Sequence, residues 1–176
     1  PRTLALTMYG NMSISKITEM PSNRKKIETI TMSSDKVSKI IKSLKDIIDK
    51  KLNAFWICPL IDESEKLDLT AATNRFQKLK KVFGNYVGII HGKMDIEEKK
   101  EIIDKFKSKE ILILVSTTII EVGIDVPDAT VMIIEESNRF GLSQLHQLRG
   151  RIGRSDKKST CVLIYKEKNL NEYSKK

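Results

Sequence analysis

The chain has 176 residues, of which 40% are hydrophobic and 31% charged, and it carries a formal net charge of +9. This length and balance predict one globular domain with a buried core and exclude a disordered chain. The basic excess favours a polyanionic partner such as nucleic acid. No signal peptide and no apolar run of ~18 residues is visible, which predicts a cytosolic protein with no membrane partner.

The first 32 residues differ from the rest of the chain. They contain a turn and a basic cluster, Met20-Pro-Ser-Asn-Arg-Lys-Lys26, followed by a candidate strand at 27–32. We predict that residues 1–32 form a connector or arm and that residues 33–176 form the domain itself. The chain opens at Pro1 without an initiator Met, so we expect a piece of a longer polypeptide.

Short, nearly continuous apolar runs follow, and they predict strands at Ala54–Leu60, Tyr86–Ile90, Ile111–Val115, Val131–Ile134 and Val162–Ile164. Strands this uniformly apolar are buried on both faces, which is typical of a parallel sheet. Cys58 and Cys161 fall in such runs without metal-ligand spacing, so we predict buried, reduced thiols.

Amphipathic helical patterns lie between these runs. One covers 35–52, with an apolar stripe from Val37 to Ile48. A second carries a stripe from Ala72 to Phe83, a third begins at Asp95 with Glu98 in a capping-box-like pair, and a fourth covers about 143–151. Because strands and helices alternate, the sequence predicts a doubly wound, mostly parallel α/β domain in three layers.

Ligands of open parallel sheets bind outside the carboxyl ends of the strands, which here singles out four loops: 61–68, 91–95, 116–128 and 135–143. The loop 116–128 offers the hydroxyls of Ser116, Thr117 and Thr118, then Gly123, then Asp125 just before a Val-Pro pair. Hydroxyls suit a nucleic-acid backbone and a carboxylate suits a ribose hydroxyl. The alternative is a plain turn with Ser/Thr capping.

Other loop residues are more ambiguous. At His91 and Gly92, the glycine permits close backbone approach and the imidazole reaches a phosphate, or else the histidine is structural. His146 is expected to be a surface or packing histidine. Arg139-Phe-Gly141 either presents a cation and an aromatic ring to a partner or forms a turn. The acidic run 62–65 has no paired ligand set, so we predict no metal site.

Arginine is concentrated near the C-terminus. Of seven arginines, four lie between 139 and 154, within or beside Gln144-Leu-His-Gln-Leu-Arg-Gly-Arg-Ile-Gly-Arg154. Glycines bracket Arg151, so two guanidinium groups, those of Arg151 and Arg154, can approach one phosphate closely. The alternative is a basic helix end. No G-x-x-x-x-G-K-[ST] loop occurs, so these arginines predict only the trans-acting half of a phosphoryl-transfer site.

At this point the chain resembles a known family. Residues 115–129 resemble motif V of superfamily 2 helicases, and Gln147, Gly150, Arg151, Gly153 and Arg154 match the Q-x-x-G-R-x-G-R pattern of motif VI. More narrowly, residues 58–68, 91–94 and 139–142 are similar to the RecG family of bacterial ATP-dependent DNA helicases. The transcription-repair coupling factors are a near alternative that shares much of motifs V and VI.

The resemblance implies that the chain is the second RecA-like motor domain and that the ATP-binding loop and Mg²⁺ belong to a first motor domain. It implies that Arg151 and Arg154 act as arginine fingers, that Gly123 and Asp125 line the nucleotide cleft, and that Gln147 senses nucleotide. The residues implied to track the DNA backbone are His91, Gly92, Thr117 and Thr118.

The resemblance also implies a role in DNA repair and recombination at forks and junctions, in the bacterial cytoplasm with the nucleoid. By itself the segment would hydrolyse no ATP. A non-catalytic nucleic-acid-binding module is the alternative from a different class, and the two arginines kept in register argue against it, because binding alone could use lysines.

Overall fold

A computed structural model describes residues 25–59, 65–117 and 129–166, with side chains described from residue 69 onward in the second range. In these residues six strands form one sheet in the order β1-β6-β5-β2-β4-β3, and every pair is parallel. The strands are β1 (Glu28–Ser33), β2 (Asn53–Ile57), β3 (Val87–Ile90), β4 (Ile113–Ser116), β5 (Ala129–Ile134) and β6 (Thr160–Tyr165).

Four α-helices of this described part cover the sheet: α1 (Val37–Asp49), α2 (Glu65–Phe83), α3 (Ile96–Lys107) and α4 (Leu142–Arg149). Short 3-10 turns occupy Ser34–Lys36, Gly84–Tyr86 and Ser137–Arg139. Each predicted helix is present, and the predicted start of α3 is confirmed because Glu98 Oε2 accepts the Asp95 backbone N–H at 3.2 Å. The parallel α/β architecture is therefore confirmed.

The sheet separates two apolar cores, as the uniformly apolar strands predict. All five residues of β2 are buried. Phe55 and Ile57 contribute to the core beneath α3 and α4, whereas Ala54 and Trp56 contribute to the core beneath α1 and α2. Because neighbouring residues of a strand point to opposite faces, this alternation gives three layers.

The predicted helix stripes are the buried faces. On α1, Ile40 and Leu44 are buried, and the other stripe residues pack partly buried against the same core. Ala72 and Leu79 do the same on α2, and Phe106 does so on α3. Full burial of a leucine- or phenylalanine-sized side chain stabilises the fold by about 1.5–3 kcal/mol.

One sequence-based boundary needs correction. The sequence places residues 28–32 in a connector, whereas in the structure β1 pairs with β6 in register, from Glu28 opposite Thr160 to Ser33 opposite Tyr165. The candidate strand is therefore real and belongs to the sheet. The pairing explains this placement, because β1 supplies hydrogen-bond partners for backbone N–H and C=O groups at the edge of β6 that would otherwise be open. Residues 1–24 lie outside the described residues.

The two cysteines are buried and free, as predicted. Burial raises the pKa of Cys161 to about 11, and it also raises the pKa of Cys58, with Glu135 adding to that effect. Both thiols are therefore protonated at neutral pH and act as small apolar side chains.

Candidate functional site

The carboxyl ends of β3 and β4 place two predicted residues side by side. Ile90 pairs with Ser116 across these neighbouring strands. His91 and Thr117 are the next residues along each strand, so they emerge together at the same end of the sheet. We call His91, Gly92 and Thr117 the strand-end site.

Two polar atoms of this site are buried without a hydrogen-bond partner among the described residues: Nδ1 of His91 and Oγ1 of Thr117. The Thr117 side chain is only 2% exposed. A buried polar group left unsatisfied costs about 1–3 kcal/mol, so such groups are uncommon and call for a functional or structural explanation. A phosphate or sugar oxygen could accept a hydrogen bond from the Thr117 hydroxyl, and from His91 Nδ1 in the tautomer that carries the proton on that nitrogen.

The strand-end site lies in a positive field. Lys99, in the first turn of α3, donates from Nζ to the Gly92 carbonyl oxygen at 3.0 Å. Burial, then Lys99, then Lys93 lower the pKa of His91, against an opposing effect of Glu98. The imidazole is therefore neutral near pH 7. Lysines held beside a glycine backbone form a surface suited to an anionic strand.

The loop after β4 is described only in part. Ser116 is fully buried and donates its hydroxyl to the Thr117 carbonyl oxygen at 2.7 Å. The Ser116 hydroxyl is therefore internal and not available to a ligand, whereas the sequence predicts that it is available to a nucleic-acid backbone. Thr118, Gly123 and Asp125 lie outside the described residues.

The arginine motif lies at the opposite end of the sheet. We call residues 150–154, which follow α4, the arginine loop. Its Gly153 N–H donates to the carbonyl oxygen of Ala129, the first residue of β5, at 3.3 Å. Gly153 also lies against Ile27 and Ser159, which precede β1 and β6. Strands of four to six residues therefore separate this loop from the strand-end site by about 15 Å along the strand axis.

The arginine loop is built as a rigid turn. Ile152 is fully buried in the core, so it fixes the loop between the two arginines. Arg151 is half-buried and Arg154 is exposed. The N–H groups of Gly150, Arg151 and Ile152 donate to carbonyl oxygens of α4, at 3.0, 2.9 and 3.3 Å.

The two glycines of the loop have backbone roles that sequence alone did not predict. Gly153 has a φ of +69°, and a Cβ there would come within 2.9 Å of Ile27 Cγ1. Gly150 is right-handed, with a φ of −66°, and a Cβ there would lie 3.3 Å from the Gln147 carbonyl oxygen. Gly153 is thus required for a left-handed turn, and neither glycine simply clears space beside a guanidinium group.

Of the remaining residues that the sequence analysis singles out, some are exposed and others pack against the core or a neighbouring side chain. Gln147 is exposed on the last turn of α4. His146 is also exposed, with Nδ1 at 3.4 Å from a nitrogen of Arg149, so it is a surface histidine as predicted. Phe140 packs partly buried against the core and Arg139 pairs with Glu136 at 3.1 Å, which favours the turn interpretation of this segment.

A charged network that sequence reasoning missed lies at the carboxyl ends of β2 and β5. Glu135 accepts hydrogen bonds from Trp56 Nε1 and Arg75 Nε, and the Arg75 guanidinium lies 4.9 Å from the centre of the Trp56 ring. The network fastens α2 to the sheet beside the strand-end site. The only sequence signal was Arg75, an isolated arginine in a lysine-rich chain.

In the described ranges no group of three or more histidine, cysteine or acidic side chains could hold a metal ion. Nor does any described helix have the length and apolar character to cross a membrane.

Comparison with known proteins identifies the architecture. Residues 35–156 match the model of the helicase conserved C-terminal domain. The chain is 50% identical to the ATP-dependent DNA helicase RecG of Aquifex aeolicus over 98% of its own length and 22% of that protein. It is 46% identical to RecG of Bacillus subtilis, covering 93% of the chain and 24% of that protein. The chain thus spans less than a quarter of these relatives.

Comparison with solved structures gives the same family and fold. A RecG bound to a three-way DNA junction matches with a TM-score of 0.79 and 38% identity, over 99% of this chain and 22% of that chain. The yeast protein Dbp5, from S. cerevisiae, bound to RNA and ADP BeF3, matches with a TM-score of 0.65 over 96% of this chain and 42% of that chain. At 19% identity, the latter likeness shows the fold alone. The predicted resemblance to RecG and the RecA-like fold are confirmed.

Proposed function

Because the chain belongs to the helicase conserved C-terminal domain family, we propose that it is the second of two motor domains in an ATP-dependent DNA helicase of the RecG type. The whole protein would translocate on branched DNA and remodel stalled forks and recombination junctions during repair, in the bacterial cytoplasm with the nucleoid. The observation that carries this proposal is the placement of an arginine loop and a phosphate-suited site at opposite ends of one sheet.

The arginine loop is proposed to complete an ATP site whose other half, with Mg²⁺, belongs to the first motor domain. Arg151 and Arg154 would contact the γ-phosphate as arginine fingers, and Gln147, four residues before Arg151, would sense the nucleotide. Gly123 and Asp125 are proposed to line the same cleft. The support from the described residues is the buried anchor Ile152, which fixes the loop backbone while both arginines keep access to solvent.

The strand-end site is proposed to follow the DNA backbone, together with Thr118. The supporting observations are the polar atoms of His91 and Thr117 that have no partner among the described residues, and the lysine beside Gly92. Hydroxyl groups and backbone N–H groups contact phosphates without reading sequence, which suits a motor that must move along any strand.

The separation of the two sites suggests how they work together. ATP bound between two motor domains would draw the arginine loop toward the γ-phosphate, and hydrolysis would release it. The sheet transmits this motion as a rigid body, so the strand-end site at its other end would shift along the DNA backbone in each cycle. The chain alone would lack ATPase activity, since it supplies only one side of the cleft.

The full-length helicase that contains this chain tests the proposal through Arg151→Ala. An arginine finger contributes about 10³–10⁵ to kcat, so we expect DNA-stimulated ATP turnover to fall by about a thousandfold while DNA affinity is unchanged. Lys158→Ala, at an exposed cation outside the motif, is the matched control and should keep wild-type turnover.

Near-normal ATP turnover in Arg151→Ala would refute the arginine-finger role. Unaltered DNA binding together with unaltered turnover would favour the non-catalytic nucleic-acid-binding module, because that alternative needs no arginine at this position.

A further inference from the structure

The segment that enters the domain touches the arginine loop directly. Ile27, the residue before β1, lies so close to Gly153 that a Cβ on the glycine would come within 2.9 Å of its Cγ1 and 3.2 Å of its Cδ1. Gly153 lies between Ile152 and Arg154, in the middle of the motif. The isoleucine side chain therefore occupies the space over the point where the loop turns left-handed.

Ile27 is itself held on two sides. It packs partly buried against the core that contains Ile152 and Leu148. The next residue, Glu28, donates its N–H to the Ser159 carbonyl oxygen at 2.9 Å, and β1 then continues along β6. The entering chain is thus fastened to the sheet at the same place where it contacts the loop.

Gly153 is also tied to the first residue of β5. Its N–H donates to the Ala129 carbonyl oxygen at 3.3 Å, which is long for such a bond. A glycine also has no side chain to pack and the greatest backbone freedom of any residue. Contact with Ile27 and burial of Ile152 together restrain the backbone between the two arginines.

From this contact we infer that Ile27 is a positioning residue for Arg151 and Arg154: it holds the turn at Gly153 so that both guanidinium groups can reach one phosphate. The inference rests on the proposed arginine-finger function and extends it to a residue outside the motif.

The test compares Ile27→Ala with Ile30→Ala in the full-length helicase. Ile30 lies three residues further on, within β1, where it pairs with Val162 and is 37% exposed, so it is the matched control. Rates are expressed per molecule competent to bind DNA, well below the unfolding temperature, so that partial unfolding does not lower them. Because a misplacement of order 1 Å can cost about a hundredfold, we expect kcat to fall at least about tenfold in Ile27→Ala, with KM for ATP and DNA affinity unchanged.

Two further variants separate positioning from bulk packing. Ile27→Val keeps the Cγ1 and Cγ2 positions and should restore most of the turnover. The double variant that combines Gly153→Ala with Ile27→Ala should lose less kcat than the sum of the two single losses, on a logarithmic scale, predicts. The reason is that the alanine at 27 removes the atoms that the new Cβ would meet.

Equal kcat in Ile27→Ala and Ile30→Ala, or strict additivity in the double variant, would overturn the role of Ile27. Those results would leave the proposed function intact if Arg151→Ala still abolished turnover. A normal rate in Arg151→Ala would instead remove the premise, so the two failures are distinguishable.

Discussion

The arginine loop and the strand-end site are built on different principles. In the loop, the N–H groups from Gly150 to Gly153 all donate to carbonyl oxygens, and Ile152 is fully buried. At the strand-end site, buried polar atoms of His91 and Thr117 have no partner among the described residues. The backbone N–H groups of the loop are therefore satisfied by described residues, whereas we propose that a ligand pairs with the polar atoms of the strand-end site.

This difference matches what each region is proposed to do. An arginine that acts in a transition state must be held in place beforehand, because any reorganisation adds to the barrier. A site that follows a nucleic-acid backbone must instead exchange one phosphate for the next. Unpartnered groups on a rigid strand end allow that exchange at low cost.

Among changes that compare the two regions, the largest effect on stability is expected from Gly153→Ala. A left-handed alanine costs about 1–2 kcal/mol and the close approach to Ile27 adds a similar amount, so the free energy of unfolding should fall by about 3 kcal/mol. Urea denaturation measures it. Gly150→Ala is the control, because that residue is right-handed, and its cost should stay below about 1 kcal/mol. Equal losses in the two variants would contradict the rigid-turn description.

An intermediate effect is expected from Thr117→Val, which replaces an unpartnered buried hydroxyl with a methyl group. If that hydroxyl donates to a phosphate, DNA affinity should fall by about fivefold, equivalent to about 1 kcal/mol, while stability is unchanged or slightly raised. DNA titration and urea denaturation measure the two quantities.

Thr130→Val provides the matched control for that experiment. Thr130 is also 2% exposed, and its Oγ1 has no partner in the part of the chain that the structure describes, but it lies in β5 near the amino ends of the strands. Its replacement should affect stability in the same way and leave DNA affinity unaltered. A comparable loss of DNA affinity in both variants would show that the Thr117 hydroxyl makes no specific contact with DNA.

The smallest effect concerns pH. Burial and Lys99 hold the pKa of His91 below 6.5 in the folded chain, so the unfolded chain takes up this proton first as the pH falls. The His91 contribution to stability is therefore complete above about pH 6.5 and declines as the pH drops below that value. Urea denaturation at about pH 7.5 and about pH 5.5 should show a shallower pH dependence in His91→Gln than in the wild type.

His146→Gln, which removes the only other histidine, is the comparison for this measurement. If His91→Gln retains the full wild-type decline, the strand-end histidine is not the group responsible.

Much of the fold could be predicted from the sequence because the local patterns of polarity agree with the tertiary packing. Uniformly apolar runs such as Ile111–Val115 must be buried on both faces, and the stripe through Ile40 and Leu44 must face the sheet. Arg151 and Arg154 could also be identified as motif residues from the sequence, since their spacing with glycine is specific. These features depend on short stretches of chain.

The sequence by itself therefore determined a parallel α/β domain, its helix faces and the arginine motif. Only the tertiary structure decided that β1 joins the sheet, that Glu135 ties Arg75 to Trp56, and that Ile27 covers Gly153. Only it placed the arginine loop and the strand-end site at opposite ends of the strands. The physical reason is that these contacts join residues far apart in the chain, and a local pattern of polarity carries no information about which distant strand lies beside it.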